Sequence, residues 1–237
     1  MRILAVDTAT PCCSVALSED GEVRAAAVDA GGVTHSRHLM GLIDGVMASA
    51  AWRVDQLDGF GVTRGPGSFT GIRIGMSAVM GLAQAVARPV VGVSVLEALA
   101  WPLSQSGYPV CALIDARRGE VYCGVYGWEN NDLATLLPEQ VAEPKRVLEV
   151  VPEACLFVGS GATLYQDQIM AVKGAGACFA PVFQHRPDAA VVAWLATRRL
   201  SAAGEDAADL RPIYLRKSDA QIHSETVANT GQENAAR

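Results

Sequence analysis

Aromatic residues and charges are scarce in this chain of 237 residues: 6% are aromatic and 19% are charged. The basic excess typical of proteins that bind nucleic acid by themselves is missing, because 19 lysines and arginines stand against 25 aspartates and glutamates. The formal net charge is −6. We therefore do not expect this chain to bind RNA alone.

Long hydrophobic runs are missing as well. No segment approaches the roughly 20 uninterrupted apolar residues that a membrane-spanning helix requires. The apolar start ILAV is similar to the beginning of a signal peptide, but Asp7 interrupts it too early. We expect a cytoplasmic protein without membrane contact.

Cysteine pairs with metal-binding spacing are also missing, since the six cysteines contain no C-x-x-C pair. Cys12 and Cys13 are neighbours and would point to opposite faces of a strand. We interpret all six as reduced side chains that pack as small hydrophobic groups. The sequence predicts no disulfide and no metal site.

Hydrophobic residues, by contrast, make up half of the chain, and their pattern predicts an α/β fold built twice. Each half opens with a strand ending in aspartate, RILAVD at 2–7 and VCALID at 110–115, followed by a hairpin. Later strands alternate with helices, which is typical of a parallel sheet with crossover helices. We predict a first lobe at 1–103, a reduced second lobe at 104–217 and a disordered tail at 218–237.

Two amphipathic helices are predicted in the first lobe, over 34–50 and 72–87. Thr34 or Ser36 would cap the first helix. Apolar residues surround the second helix almost completely, and a sheet can cover only one of its sides. A second layer is therefore required, either from this chain or from a partner. The residues that we predict for a partner surface are His35, His38, Leu39, Met40, Leu42, Ile43, Met47, Ile72, Gly75, Met76, Val79 and Met80.

The segment RGPGSFTGIRIG at 64–75 lies between a predicted strand and the second helix. Free backbone N–H groups at a helix start favour anions, so a phosphate could bind here. The lysine and following serine or threonine of a P-loop are absent. The other interpretation is that Gly65, Gly67 and Gly71 allow a tight turn and close helix packing. Ser68 would act as a helix cap, not as a nucleophile.

Several segments, taken in order, resemble the TsaB (YeaZ) family: ILAVDTAT at 3–10, RGPGSFTGIRIG, PVVGVSVLEALA at 89–100, LIDARRGEVYCGVY at 113–126 and PIYLRK at 212–217. The resemblance implies a two-lobed fold of the actin-like, sugar kinase and Hsp70 superfamily. It places Asp7 and Asp115 where that superfamily has its two phosphate-motif acids. Remnants of a phosphate site would then be Asp7, Thr8, Thr10, Gly65, Gly67, Ser68 and Asp115.

The resemblance also implies a role and partners. The family acts as a dimerisation subunit in the complex that makes threonylcarbamoyladenosine on tRNAs reading ANN codons. Its partners would be the catalytic paralogue TsaD and the ATPase TsaE, with a homodimer in isolation and tRNA contacted only through the complex. No cofactor is expected to be required, although weak ATP or ADP binding is compatible with the vestigial loops.

Catalysis by this chain itself is not expected. The catalytic paralogue carries two metal-binding histidines at i, i+4 spacing, and Val95 and Leu99 occupy the matching positions here. Aliphatic side chains cannot coordinate a metal. His35 and His38 could share a helical face, but no Asp, Glu or Cys stands at i+7 to complete a site. The alternatives are an ATP-dependent small-molecule kinase of the same superfamily or a metalloprotease-like enzyme.

Overall fold

Two mixed five-stranded sheets form the frame of the molecule in a computed structural model, which describes residues 1–31, 35–203 and 210–216. Thr34, one of the two predicted caps, and the predicted tail at 218–237 lie outside these described residues. The first sheet contains β1 (Arg2–Asp7), β2 (Cys13–Glu19), β3 (Glu22–Asp29), β4 (Gly59–Thr63) and β5 (Val90–Val93). Its order is β3-β2-β1-β4-β5.

The first sheet combines an antiparallel hairpin with a parallel half. β1 pairs antiparallel with β2 and parallel with β4, and β4 pairs parallel with β5. Asp20 and Gly21 form the turn between β2 and β3, and both have positive φ, at 54° and 86°. The buried strand β1 alternates its side chains, so that Leu4 and Val6 face one helical layer and Ile3 and Ala5 face another.

The helices α1 (His35–Ser49) and α2 (Phe69–Val86) cover one face of this sheet. The second begins three residues earlier than predicted, because Ser68 caps it by accepting a 3.1 Å hydrogen bond from the backbone N–H of Gly71. The prediction of Ser68 as a cap is confirmed. Among the described helices, α2 is long and apolar enough to cross a membrane, with 33% of that stretch buried inside the protein.

The second sheet repeats the plan of the first. After the short helix α3 (Val95–Ala100) come β6 (Val110–Asp115), β7 (Val121–Glu129), β8 (Asp132–Ala142), β9 (Cys155–Val158) and β10 (Ala177–Phe179). The order β10-β9-β6-β7-β8 is the first sheet's order with β6 in the place of β1. β6 pairs antiparallel with β7 and parallel with β9. The predicted duplication is confirmed.

Shorter helices flank the second sheet: α4 (Pro144–Val150), α5 (Ser160–Leu164) and α6 (Gln166–Lys173). A separate apolar core, centred on Leu113, Cys123, Leu148 and Phe157, lies between this sheet and those helices. Five cysteines are buried and Cys178 is half-buried, and all six are free thiols, as predicted.

The last described helix, α7 (Ala189–Ala203), departs from the predicted lobes. It lies within 104–217, the predicted second lobe, yet it packs on the free face of the first sheet. Small residues allow this approach, since a Cβ added to Gly61 would lie 3.0 Å from the Cβ of Ala196. The chain thus returns to the first sheet after building the second, and a boundary at 103 does not account for α7.

Candidate functional site

A cleft of about 740 Å³ lies between the two sheet layers, and we call it the interlobe cleft. Residues 9–12 and 66–69 line it from the first sheet, and residues 114–118 line it from the β6–β7 turn. Residues 185–187 and 213–216, which come late in the chain, complete the walls. The volume is in the range of small-molecule sites.

The predicted phosphate-site residues divide into two groups. Thr10, Gly67, Ser68 and Asp115 line the interlobe cleft. Asp7 and Thr8 are completely buried, and Gly65 is buried as well, so these three lie behind the cleft wall.

Asp7 is a buried carboxyl group at the end of β1. Its Oδ1 accepts a 2.6 Å hydrogen bond from the Thr63 hydroxyl and a 3.3 Å one from the backbone N–H of Ala9. Its Oδ2 has no hydrogen-bond partner among the described residues. Burial raises the pKa of Asp7 to about 7, and the charge of Asp188 adds to the rise. The chain itself therefore uses one of the two carboxyl oxygens of Asp7.

The glycine-rich loop packs directly on the β1–β2 loop. The backbone N–H of Ser68 donates a 2.8 Å hydrogen bond to the carbonyl oxygen of Ala9. A Cβ on Gly67 would lie 2.3 Å from that same oxygen, and a Cβ on Gly71 would lie 2.0 Å from the carbonyl oxygen of Thr8. Of the two interpretations of this motif, the geometry favours close packing. The backbone N–H of Ser68, which an anion would need, already donates to Ala9.

Asp115 occupies in the second sheet the place of Asp7 in the first, but it is engaged differently. Its Oδ1 accepts a 2.8 Å hydrogen bond from the backbone N–H of Arg117, and its Oδ2 lies 3.4 Å from the Arg117 guanidinium. Its own N–H donates to the Ser160 hydroxyl at 3.1 Å. Asp115 therefore organises the β6–β7 turn at the rim of the cleft.

The two histidines of α1 have separate partners. His35 Nε2 donates a 2.9 Å hydrogen bond to the carbonyl oxygen of Thr10 at the cleft. His38 Nδ1 donates a 2.7 Å hydrogen bond to Asp29 Oδ2. The pKa of Asp29 is lowered mainly by the hydrogen bond from the Gly31 N–H and then by this one from His38. Within residues 1–31, 35–203 and 210–216, no three His, Cys, Asp or Glu side chains cluster to hold a metal.

Val95 and Leu99, which the family resemblance matches to the paralogue's metal-ligand positions, lie on α3. Val95 is fully buried and Leu99 is almost so, at 2% exposure, with Leu99 also lining the interlobe cleft. The backbone N–H of Val95 donates a 2.9 Å hydrogen bond to the carbonyl oxygen of Gly65. Both side chains thus belong to the apolar core between the sheets.

Most of the residues predicted for a partner surface lie on the sides of α1 and α2 that face the first sheet. Seven of them are buried against the chain's own sheet and cannot meet a partner without rearrangement: Leu39, Ile43, Met47, Ile72, Gly75, Met76 and Val79. His38 and Met40 are exposed, and His35, Leu42 and Met80 are half-buried. The sequence periodicity identified an apolar stripe on these helices, but this stripe packs against the first sheet.

The outer face of α1 and α2 has a different composition. Gly41 and Gly45 on α1 and Gly81 on α2 are exposed, and a Cβ at any of them would find no atom of the described residues within 4 Å. Met40, with 45% of its surface exposed, lies beside them in sequence. We call the exposed surface formed by Met40, Gly41, Gly45 and Gly81 the glycine face.

Comparisons with known proteins agree on one relationship. The family described as "TsaD: tRNA N6-adenosine threonylcarbamoyltransferase" matches residues 30–224. The tRNA threonylcarbamoyladenosine biosynthesis protein TsaB of Bacillus subtilis is 30% identical over 224 residues, covering 93% of this chain and 96% of the relative. The chain belongs to the TsaB (YeaZ) family.

Solved structures agree with this membership of the TsaB family. YeaZ from Pseudomonas aeruginosa superimposes with a TM-score of 0.78 at 32% identity, covering 90% of this chain and 99% of that one. Component A of (R)-2-hydroxyglutaryl-CoA dehydratase from Acidaminococcus fermentans gives a TM-score of 0.53 at 13% identity, covering 85% and 99%. The second likeness concerns the fold alone, which is the predicted actin-like and sugar kinase fold.

Sequence reasoning missed the arginines of the interlobe cleft. Arg117, Arg118, Arg186 and Arg216 all line it, yet they come from three separate segments of the chain. The paired arginines at 117–118 stand in a segment that served for the family resemblance. Their sequence spacing carries no sign that Arg186 and Arg216 join them.

Proposed function

We propose that this member of the TsaB family is a non-catalytic subunit that supports threonylcarbamoylation of tRNA by binding the catalytic paralogue TsaD, together with TsaE. In isolation the same surface would pair two copies of the chain. Contact with tRNA would come only through the assembled complex, and the location would be the cytoplasm.

The glycine face is the observation that carries this proposal. A glycine inside a helix is less favourable than alanine by about 1 kcal/mol. Within residues 1–31, 35–203 and 210–216, Gly41, Gly45 and Gly81 have no neighbour that would forbid a side chain, so this part of the fold gives no reason for them. Close approach of a helix from another polypeptide would give one, because bare glycines let helix backbones come near each other.

Methionine and the neighbouring side chains suit the same role. Met40 is a flexible, exposed apolar side chain next to the bare backbone of Gly41, and methionine adapts to irregular packing. Ile74 and Ala78 on α2 are half-buried and extend the apolar border of this surface. The partner would thus contact a shallow surface made of small residues, not a deep apolar groove.

Geometry at the former catalytic positions supports a role without chemistry. Val95 and Leu99 are packed into the core, where a metal ion would find no ligand. Asp7 is buried behind the cleft wall, and Thr63 and Ala9 already use its Oδ1. These features favour a binding subunit over the kinase and metalloprotease-like alternatives, and they give the chain no required cofactor.

A reconstitution experiment tests the proposal. The purified paralogue and TsaE are assayed for threonylcarbamoyl transfer to tRNA with the wild-type chain, with a Gly45→Leu and Gly81→Leu double variant, or with no addition. We expect the wild type to be required, and the double variant to fail both in transfer and in co-purification with the paralogue. Circular dichroism checks that the variant is folded.

An Ala171→Leu variant is the matched control, because Ala171 is an exposed small residue on α6, which flanks the second sheet. It should support full activity. Transfer activity from this chain alone would refute the non-catalytic assignment. Unchanged co-purification of the double variant would refute the glycine face as the partner surface.

A further inference from the structure

The interlobe cleft has a charge opposite to that of the whole protein. Among the described residues, four arginines line it and Asp115 is the one acidic lining residue, whereas the chain carries a net charge of −6. Glu120, outside the lining, pairs with Arg216. Even after Asp115 and Glu120 are counted, positive charge predominates, and a low-dielectric cleft of one sign concentrates counter-ions.

Two of these arginines remain available to a ligand. The side chain of Arg117 is 81% exposed, although its guanidinium lies 3.4 Å from Asp115. Arg186 is exposed, and its Nη1 makes a weak contact of 3.8 Å with Cys12 Sγ. A guanidinium group offers a planar set of N–H donors that matches phosphate and carboxylate.

The backbone of the β6–β7 turn is also unusual. Arg117 and Arg118 have positive φ values of 62° and 56°, ahead of Gly119 at 77°. Such a conformation disfavours residues with a long side chain and favours glycine or asparagine. Arginine at both positions places two long cationic side chains at this rim.

A directed donor and an apolar wall add to the arginines. His185 Nδ1 accepts a 3.0 Å hydrogen bond from the backbone N–H of Gly159, which leaves the proton on Nε2 as a donor. Leu99, Ile114 and Tyr122 line the same cavity. The cleft therefore combines donors for an oxyanion with a surface for an apolar or aromatic group.

We propose that the interlobe cleft binds a small molecule that carries an oxyanion on an apolar or aromatic body, with Arg117 and Arg186 binding the oxyanion. The glycine-rich loop, where the sequence suggested a phosphate site, takes no part, because Ser68 N–H is bonded to Ala9. Asp7 takes no part either, because it is buried behind the wall. Arg117 lies on the β6–β7 turn and Arg186 lies next to Cys12 on the β1–β2 loop, so the ligand is bound between them, without a metal ion.

Isothermal titration of the full-length chain in metal-free buffer tests this inference with four probes. Phenyl phosphate and benzoate carry the same ring with different oxyanions, inorganic phosphate lacks the ring, and benzyl alcohol lacks the charge. We expect phenyl phosphate or benzoate to bind at least about tenfold more tightly than inorganic phosphate or benzyl alcohol. The tighter of the two identifies the oxyanion.

Two sets of arginine variants test whether Arg117 and Arg186 bind the probe. An Arg117→Gln and Arg186→Gln double variant should bind the preferred probe at least about tenfold more weakly, while Arg88→Gln, an exposed arginine just after α2, should bind as the wild type does. Equal binding of all four probes, no binding at about 10 mM, or unchanged binding by the double variant would overturn the inference. The Arg117→Gln and Arg186→Gln double variant should still co-purify with the paralogue. A failure of the ligand proposal can therefore be distinguished from a failure of the partner proposal.

Discussion

The hydroxyl group of Thr8 donates a 2.8 Å hydrogen bond to the carbonyl oxygen of Gly71, joining the end of β1 to the first turn of α2. Both groups are buried, and the bond spans 63 positions in the sequence. One turn further along α2, a Cβ on Gly75 would lie 2.3 Å from the same hydroxyl oxygen. The helix therefore sits as close to the β1–β2 loop as its glycines allow.

Two glycine substitutions in α2 should have opposite effects on stability. Gly75→Ala places a methyl group against the fixed Thr8 hydroxyl, so we expect a loss of about 1–3 kcal/mol from overpacking. Gly81→Ala meets no atom within 4 Å and should gain up to about 1 kcal/mol from helix propensity. Urea unfolding of both variants measures the two changes, and a stabilised Gly75→Ala variant would contradict the close packing described here.

The buried carboxyl group of Asp7 should make stability depend on pH. Its pKa is raised from 3.8 to about 7 in the folded chain, so between about pH 4 and pH 7 the folded state holds a proton that the unfolded state has lost. The free energy of unfolding should therefore fall as pH rises through this window and level off above it. From pH 5 to pH 8 the loss should be about 2–3 kcal/mol.

An Asp7→Asn variant isolates this contribution because the amide does not ionise. The wild type and the variant are unfolded in urea at pH 5 and pH 8, and the wild type should show the larger drop. Asp44→Asn, at an exposed position on α1, serves as the control and should keep the wild-type dependence. Parallel curves for the wild type and Asp7→Asn would show that Asp7 ionises normally.

Strand periodicity and the repeated strand-aspartate-hairpin pattern were sufficient to predict the duplicated fold. The edge strand β8 (Asp132–Ala142) was missed, because Pro138 interrupts its pattern and its residues are mostly exposed or half-buried. The helix α7 lies within 104–217, the predicted second lobe, but it packs on the first sheet. Its alanine-rich stripe fits any close apolar surface, and only the small residues Ala5, Ala16 and Gly61 of the first sheet identify which one.

The candidate sites show the limit of sequence reasoning more clearly. Periodicity reveals that α1 and α2 are apolar, but it does not reveal which apolar stripe the sheet takes, so buried residues such as Leu39 and Ile72 were assigned to a partner. The interlobe cleft depends on contacts such as that of Arg216 with Ala116, which are 100 positions apart. No local pattern predicts a contact of that separation.

Substitutions of two methionines should distinguish the core side of these helices from the glycine face. Met76 is 5% exposed and Met40 is 45% exposed. Met76→Ala should lower the free energy of unfolding by about 2–5 kcal/mol, whereas Met40→Ala should change it by no more than about 0.5 kcal/mol. Met40→Ala should nevertheless weaken binding to the paralogue in surface plasmon resonance, and an unaffected affinity would remove Met40 from the proposed interface.

The segment 210–216 connects the two sheets, and Arg216 is its contact with the second. Ile213 N–H donates a 2.7 Å hydrogen bond to the carbonyl oxygen of Arg64 beside the glycine-rich loop. Arg216 Nη1 donates a 2.7 Å hydrogen bond to the carbonyl oxygen of Ala116, and its guanidinium pairs with Glu120. This chain segment therefore joins the start of α2 to the β6–β7 turn across the interlobe cleft.

Arg216→Gln should weaken that connection and lower the free energy of unfolding by about 1–3 kcal/mol, the usual range for a hydrogen bond to a charged group. The exposed Arg211 gives the control variant Arg211→Gln, which should unfold as the wild type does. A double-mutant cycle with Glu120→Gln then measures the ion pair by itself. If the two substitutions prove strictly additive, the pair contributes nothing, and the connection rests on the Ala116 hydrogen bond and on the packing of Tyr214 against Phe69, whose ring centroids are 4.7 Å apart.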